Sequence, residues 1–329
     1  MARELRRPLC EEGKTAFFKI IGADPIVYKT LKSVVTDSFV EAFSLGGALT
    51  ALGMFVAMLI TRQPNNLFYY LLPAITVILM GVFAGIGKRR ERKFSRCVAD
   101  INQTLREDVI VQVHSNPVGG MYENDSYWVM KEKGKQTEIF CDKLSEVAER
   151  AFGLIVSLSA AILMTVLNPF AAVPMLGLAF LRALRMFRLN SRYEDALDTL
   201  DAETVRYDET CDNLIRSAQT MEPDDVALSR AKAAAPVEEA QAVCVSLSNR
   251  LFSQTRIVPL IMLLAAGALS ILVRASGLFS WYSPILIIPS LLMFALVLYN
   301  TSGYYSFNRS IADAEWSAID LTTLSSTEE

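Results

Sequence analysis

Residues 88–93, KRRERK, open a charged stretch that runs to residue 149 and carries the breaker cluster NPVGG at 116–120. Apolar runs at 67–87 and 147–168 flank it. A stretch this long and this charged is no simple connection between them. Its composition favours helix on both sides of Asn116-Pro117-Val118-Gly119-Gly120, the one place where turn formers gather. The pattern therefore predicts a helix to about Val113, a short turn, and a second helix leading back into the apolar run at Val147. Each arm would hold roughly 25–30 residues, or about 40 Å of helix. Residues 190–255 repeat the design between a later pair of apolar runs. The expected fold class is all-α: a six-span integral membrane bundle with two long cytoplasmic helical hairpins, near 88–149 and 190–255.

The six spans are 39–60, 67–87, 147–168, 169–189, 256–273 and 283–302. Most hold about 20 residues, enough to cross a hydrocarbon core of about 30 Å. Their connections alternate. Thr61 to Asn66, Asn168-Pro169 and Arg274 to Tyr282 are short, and the second and fourth connections are the long hairpins. Of 32 Lys and Arg, only Arg62 and Arg274 fall on the short-loop side. The positive-inside rule then puts both termini and both hairpins in the cytoplasm, with a bacterial cytoplasmic membrane as the expected location. Tyr69, Tyr70, Trp281 and Tyr282 sit where an outer aromatic belt would.

Three segments follow from these spans. Residues 1–37 form a cytoplasmic N-terminus and an interfacial elbow, 38–325 form the six-span domain, and 326–329 form a tail. In the elbow, residues 25–38 place Val27, Leu31, Val34 and Val35 on one helical face, as an amphipathic helix in the interface would. The alternative is that they extend the first span.

The composition is 52% hydrophobic with a mean hydropathy of +0.31, which suits a mixture of spans and charged stretches. A net charge of −3 argues against nucleic acid as a partner. One His and five scattered Cys (Cys10, Cys97, Cys141, Cys211, Cys244) give neither metal spacing nor a disulfide framework. The residues around Lys88 do not fit a phosphate-binding loop, because Val82 stands where the first Gly belongs and Arg89 follows the Lys. No catalytic set, resident cofactor or metal is expected. The sequons beginning at Asn102, Asn124, Asn300 and Asn308 fall on the cytoplasmic side or in a span, and read as chance.

In the second hairpin, Asp198, Asp201, Glu203, Asp208 and Glu209 give an acidic helical run that suits a solvated face. Breaks are expected at 221–225 and at Pro236. Pro174, Pro259 and Pro289 lie inside spans, where neighbouring helices can satisfy the freed backbone groups. Arg182, Arg185 and Arg188 recur every three residues along the fourth span. Arg182 falls in the inner third of the core, where an Arg costs at least about 2.5–3.5 kcal/mol on insertion scales. Two roles are open to it. It snorkels to the headgroups, or it lines an inward-facing cavity for an anionic or amphipathic substrate together with Glu41 and Asn300 at similar depth.

The six spans, the elbow and the two hairpins after the second and fourth spans together resemble the transmembrane domain of type I ABC exporters, over about residues 25–325. In that family a short coupling helix at each hairpin tip docks on the ATPase. His114-Ser115-Asn116-Pro117 followed by Tyr122-Glu123-Asn124 is similar to the first tip, and the resemblance puts the second near Asp198 to Glu209. Trp128 stands where the family often has Gly. The resemblance implies coupling through Asn116, Pro117, Met121, Tyr122, Leu200, Val205 and Tyr207. It implies ATP and Mg on separately encoded ATPase subunits, and a second six-span subunit, identical or different, in contact with membrane lipid. A membrane scaffold or regulator that keeps this fold without transport is the alternative.

Overall fold

The computed structural model describes residues 11–22, 25–61, 67–115, 123–217, 223–275, 284–301 and 303–326. Among these the chain is all-helical. Its helices are α1 (Glu11–Gly22), α2 (Pro25–Ile60), α3 (Leu67–Ser115), α4 (Glu123–Leu167), α5 (Pro169–Ser217), α6 (Pro223–Phe252), α7 (Val258–Ala275), α8 (Ile287–Thr301) and α9 (Gly303–Ser326). A π-helical turn, Ser253–Ile257, joins α6 to α7, and a 3-10 turn, Pro284–Leu286, leads into α8. Six helical stretches are long and apolar enough to cross a membrane: Pro25–Ile60, Tyr69–Glu107, Gly134–Leu167, Pro169–Arg216, Asp224–Leu272 and Ile287–Ile319. Each contains most or all of one span read from the sequence, and together they suggest an integral membrane protein.

The helix ends follow local chemistry. α3 stops at Ser115, just before the Asn-Pro-Val-Gly-Gly cluster, and α4 begins at Glu123. α4 and α5 are separated by Asn168 alone. Its Oδ1 accepts the Ala171 N–H at 3.2 Å, and Pro169 occupies the first helical position, where its missing N–H costs nothing.

The chain divides into two compact units. The first is Met1–Ala179 with Ala265–Glu329. In it α2 packs along α3, and α4 packs on α2, α8 and α9. Close approach relies on small residues. A Cβ at Gly46 would strike Leu163 of α4, and one at Gly53 would stand 3.0 Å from the Pro289 nitrogen of α8. Beyond the spans, Ile21 of α1, Val27 of α2, Cys97 and Ile101 of α3, Phe140 and Leu144 of α4, and Ala318 of α9 form a second core. Phe140 is fully buried there, a gain of about 1.5–3 kcal/mol for a side chain of that class. The arms of the first hairpin are bridged by Arg106 and Glu138 at 2.8 Å, but both are exposed and such a pair adds little.

The second unit, Phe180–Leu264, holds the outgoing arm of α5, α6, the π-helical turn and the start of α7. Few of its side chains are buried. Leu228, Val243, Val245 and Phe252 are exposed apolar residues on α6. Cys97, Cys141, Cys211 and Cys244 are free thiols, and Cys10 lies outside the described residues.

Four details differ from the sequence expectations. Residues 25–38 are no separate elbow but the first turns of the continuous α2, as in the alternative reading. Lys93 explains why this part of α2 stays in line: it reaches across from α3 to Ser33 and Asp37. α1 was not anticipated, although Ala16, Phe17, Ile20 and Ile21 have helical spacing and turn toward the second core. Pro236 does not break α6, which runs through it. Pro289 lies in the first turn of α8, where a helix has no bond to lose, so it is not an interior kink.

Candidate functional site

On α2, Ser33, Asp37 and Glu41 recur every fourth residue and so share one face. α3 meets that face with Arg89, Arg90 and Lys93. Lys93 Nζ donates to Ser33 Oγ at 2.7 Å and to Asp37 Oδ2 at 2.6 Å. Arg89 Nε is 3.7 Å from Asp37 Oδ2. Arg90 Nε is 2.8 Å from Glu41 Oε2, close enough for an ion pair although the N–H is not aimed along a hydrogen bond. Gly87 leaves the space that the Glu41 carboxylate fills, since a Cβ there would be 2.7 Å from Oε1. The Arg90 guanidinium also lies over the Phe152 ring, 3.9 Å from its centroid.

The next residue of α4, Gly153, faces α8. A Cβ there would come within 3.3 Å of Asn300 Oδ1, while Asn300 Nδ2 donates to the Leu296 carbonyl at 2.9 Å. Arg90, the partner of Glu41, and Asn300 thus both approach α4 at residues 152–153 in the first unit. Arg182 belongs to the second unit.

Arg182 is 4% exposed. Its Nε and Nη2 donate to the Gln254 carbonyl at 3.2 and 2.9 Å. The π-helical turn explains why that carbonyl is available. Val258 N–H, which an α-helix would send to Gln254, goes instead to Ser253 O. The next residue, Pro259, has no N–H to offer. Arg182 supplies the missing donors from α5, which is the neighbouring-helix satisfaction expected for an intramembrane Pro. Neither sequence reading of Arg182 anticipated this bond.

Beside it, a cavity of about 450 Å³ opens between α5 and the end of α6. Arg185, Arg188, Leu189 and Arg192 line it from α5, and Arg250, Ser253 and Gln254 line it from α6 and the π-helical turn. Arg250 and Ser253 were not singled out in the sequence. Pro259 was the available signal, since it requires an outside donor to the turn before it.

Of the seven residues named for coupling, Asn116, Pro117, Met121 and Tyr122 lie outside the described residues. Leu200, Val205 and Tyr207 sit along the outgoing arm, because α5 runs unbroken to Ser217. α5 therefore has no break near Asp198 to Glu209, and the next described helix, α6, begins at Pro223. Val205 is exposed, and the Tyr207 hydroxyl accepts a bond from Arg230 Nε of α6 at 3.2 Å. Asp198, Asp201, Asp208 and Glu209 are exposed and Glu203 is half-buried beside Arg206 at 2.6 Å, so the acidic run is largely a solvated face. Among the described residues no group of three or more His, Cys, Asp or Glu could hold a metal ion. No protein-family model matches the chain, and no curated protein matches it.

Proposed function

We propose that the chain is the membrane-spanning subunit of an ATP-binding cassette transporter. Six spans with long charged hairpins after the second and the fourth are the observation that carries this reading. Span parity sends both hairpins to one side, where a soluble ATPase holding ATP and Mg would meet their far ends, beyond Ser115 and Ser217. Closure of that ATPase would move the hairpins and switch access to a pathway through the bundle. Such a switch requires the partner to bind the two states unequally. A second six-span subunit, the same or different, would cover the apolar residues that α6 leaves exposed, Leu228, Val243, Val245 and Phe252 among them. With the charge asymmetry, both termini would be cytoplasmic, in a bacterial cytoplasmic membrane.

The altered second hairpin favours one competing reading, a membrane scaffold that keeps this fold without coupled transport. Purification of the chain from its native membrane separates the two. An ATPase bearing phosphate-binding and signature motifs should come with it, and Tyr122→Ala should abolish substrate-stimulated hydrolysis while the complex stays folded. Recovery of the chain with no ATPase, under conditions that keep other membrane complexes intact, would leave the scaffold.

A further inference from the structure

The arginines around the α5–α6 cavity outnumber what anchoring a helix requires. Arg185, Arg188 and Arg192 fall at i, i+3 and i+7, so they lie within about 60° of one another around α5 at about 100° per residue. Arg250 faces the same cavity from α6. None of the lining residues is acidic. Among the described residues, no ion pair engages any of these four guanidinium groups. Unpaired cations gathered about one cavity repel each other, and a bound anion relieves that repulsion.

We propose that this cavity binds a net-negative phosphate group, carried by an anionic phospholipid headgroup or by a free phosphate. Three features support that chemistry. Arginine's planar fork matches phosphate oxygens two at a time, which makes it the preferred side chain for such groups. The cavity lies where α5 leaves its apolar span, near 189, and just before the apolar run that begins at 256. That is headgroup depth, and basic pockets between membrane helices on the cytoplasmic side are where anionic headgroups bind. Its volume, about 450 Å³, exceeds one phosphate and leaves room for a glycerol ester, with Leu189 as an apolar wall and the Ser253 hydroxyl as a further donor.

The cavity is also held in shape before a ligand arrives. Gln254 is part of its lining, and Arg182 ties the Gln254 carbonyl to α5. The two walls are thus joined by a buried residue that is not itself among the lining residues. Arg182 would be a positioning residue for the site and the four outer arginines its contacts. This inference needs only the membrane-embedded fold, and it stands whether or not the chain transports anything.

The test uses the full chain in detergent after lipid removal, with short-chain phosphatidylglycerol, short-chain phosphatidylcholine and inorganic phosphate as separate probes. Binding is read by native mass spectrometry and by thermal shift. The parent should bind phosphatidylglycerol at least about tenfold more tightly than phosphatidylcholine. Arg188→Ala with Arg250→Ala should lose that preference, the corresponding Lys pair should keep part of it, and the control Arg216→Ala should keep all of it. Inorganic phosphate that binds weakly and fails to displace phosphatidylglycerol identifies the ligand as a lipid. Phosphate that binds and displaces it with the same arginine dependence identifies a free phosphate. Equal binding of the two lipids with no binding of phosphate overturns the proposal. So does parental binding by the Ala pair with its helical content intact. If that pair does not fold, Arg188→Gln alone carries the same reading.

Discussion

The Gln254 carbonyl is held by two hydrogen bonds from Arg182, 72 residues earlier in the chain. The bond exists because of a third residue. Pro259 has no N–H, and the helix before it widens into a π-helical turn that leaves Gln254 without its usual donor. Arg182→Ala should therefore expose the cost of an unmet buried acceptor, about 1–3 kcal/mol, as a lower Tm in detergent. Arg182→Lys should fall between the parent and Ala. Pro259→Ala, made in the Arg182→Ala chain, restores a backbone donor and should recover part of the loss. A double-mutant cycle should give a coupling of at least about 0.5 kcal/mol. Strict additivity of the two changes would mean that Arg182 does not serve this turn.

The facing charges of α2 and α3 lead to a second expectation. Glu41 is nearly buried and its partner Arg90 is half-buried, whereas the Asp37–Lys93 pair is the wetter of the two. Removing one member of a buried pair strands the other, at roughly 3–5 kcal/mol, while an apolar replacement of both is often neutral. Glu41→Ala should destabilise the chain strongly, and Glu41→Leu with Arg90→Met should recover most of the loss. Asp37→Asn should cost less, on the order of 1 kcal/mol. Thermal unfolding of the purified variants ranks them. Equal losses for Glu41→Ala and the Leu–Met pair would show that the Arg90–Phe152 stacking, not the ion pair, carries the stability.

Glycines provide a sharper contrast. At Gly53 an added methyl would meet the backbone of Pro289, 3.0 Å from its nitrogen and 3.1 Å from its Cα, and backbone cannot give way as a side chain can. At Gly81 the methyl would meet nothing within 4 Å. Gly53→Ala should destabilise by about 1–3 kcal/mol through overpacking of α2 against α8. Gly81→Ala should be neutral or stabilising by up to about 1 kcal/mol, because it removes helix-interior glycine. The two substitutions are chemically identical, so opposite shifts in Tm isolate the close approach.

Local signals explain what was legible in the sequence. The all-α class and the spans were readable because apolar runs and breakers are properties of neighbouring residues. Asn116 to Gly120 ends α3 within a few residues of where its composition says, and Asn168-Pro169 marks the α4–α5 corner. The second tip was misplaced for a different reason. The resemblance, not a local signal, put a tip near Asp198 to Glu209, but acidic residues do not stop a helix; α5 runs on to Ser217, and α6 begins at Pro223, inside the break expected at 221–225. The long-range pairings were not readable at all. Nothing near Arg182 names Gln254, and nothing near Glu41 names Arg90, because each partner is chosen by helix packing. A depth argument had grouped Arg182 with Glu41 and Asn300. Depth fixes only one coordinate, and Arg182 belongs to a different compact unit from Glu41 and Asn300.

Membrane orientation rests on charge, and its consequence is directly measurable. Arg62 and Arg274 are the only basic residues on the short-loop side, while the stretch from Lys88 to Lys93 alone carries five. Transferring that cluster across a membrane is the step the positive-inside rule forbids. In a chain with its five native Cys replaced, single Cys at Gln63 or Ser276 should react with an impermeant maleimide added to intact cells. Single Cys at Asn124 or Glu203 should react only after the membrane is opened. The second pair tests more than polarity. Asn124 begins the return arm of the first hairpin and Glu203 lies on the outgoing arm of the second, so matched behaviour requires an even number of crossings between them. α4 and the start of α5 supply two such crossings, joined at Asn168. Outside labelling of both would invert the protein. Outside labelling of one alone would mean that the apolar part of α4 or of α5 does not cross, and would reduce the bundle below six spans.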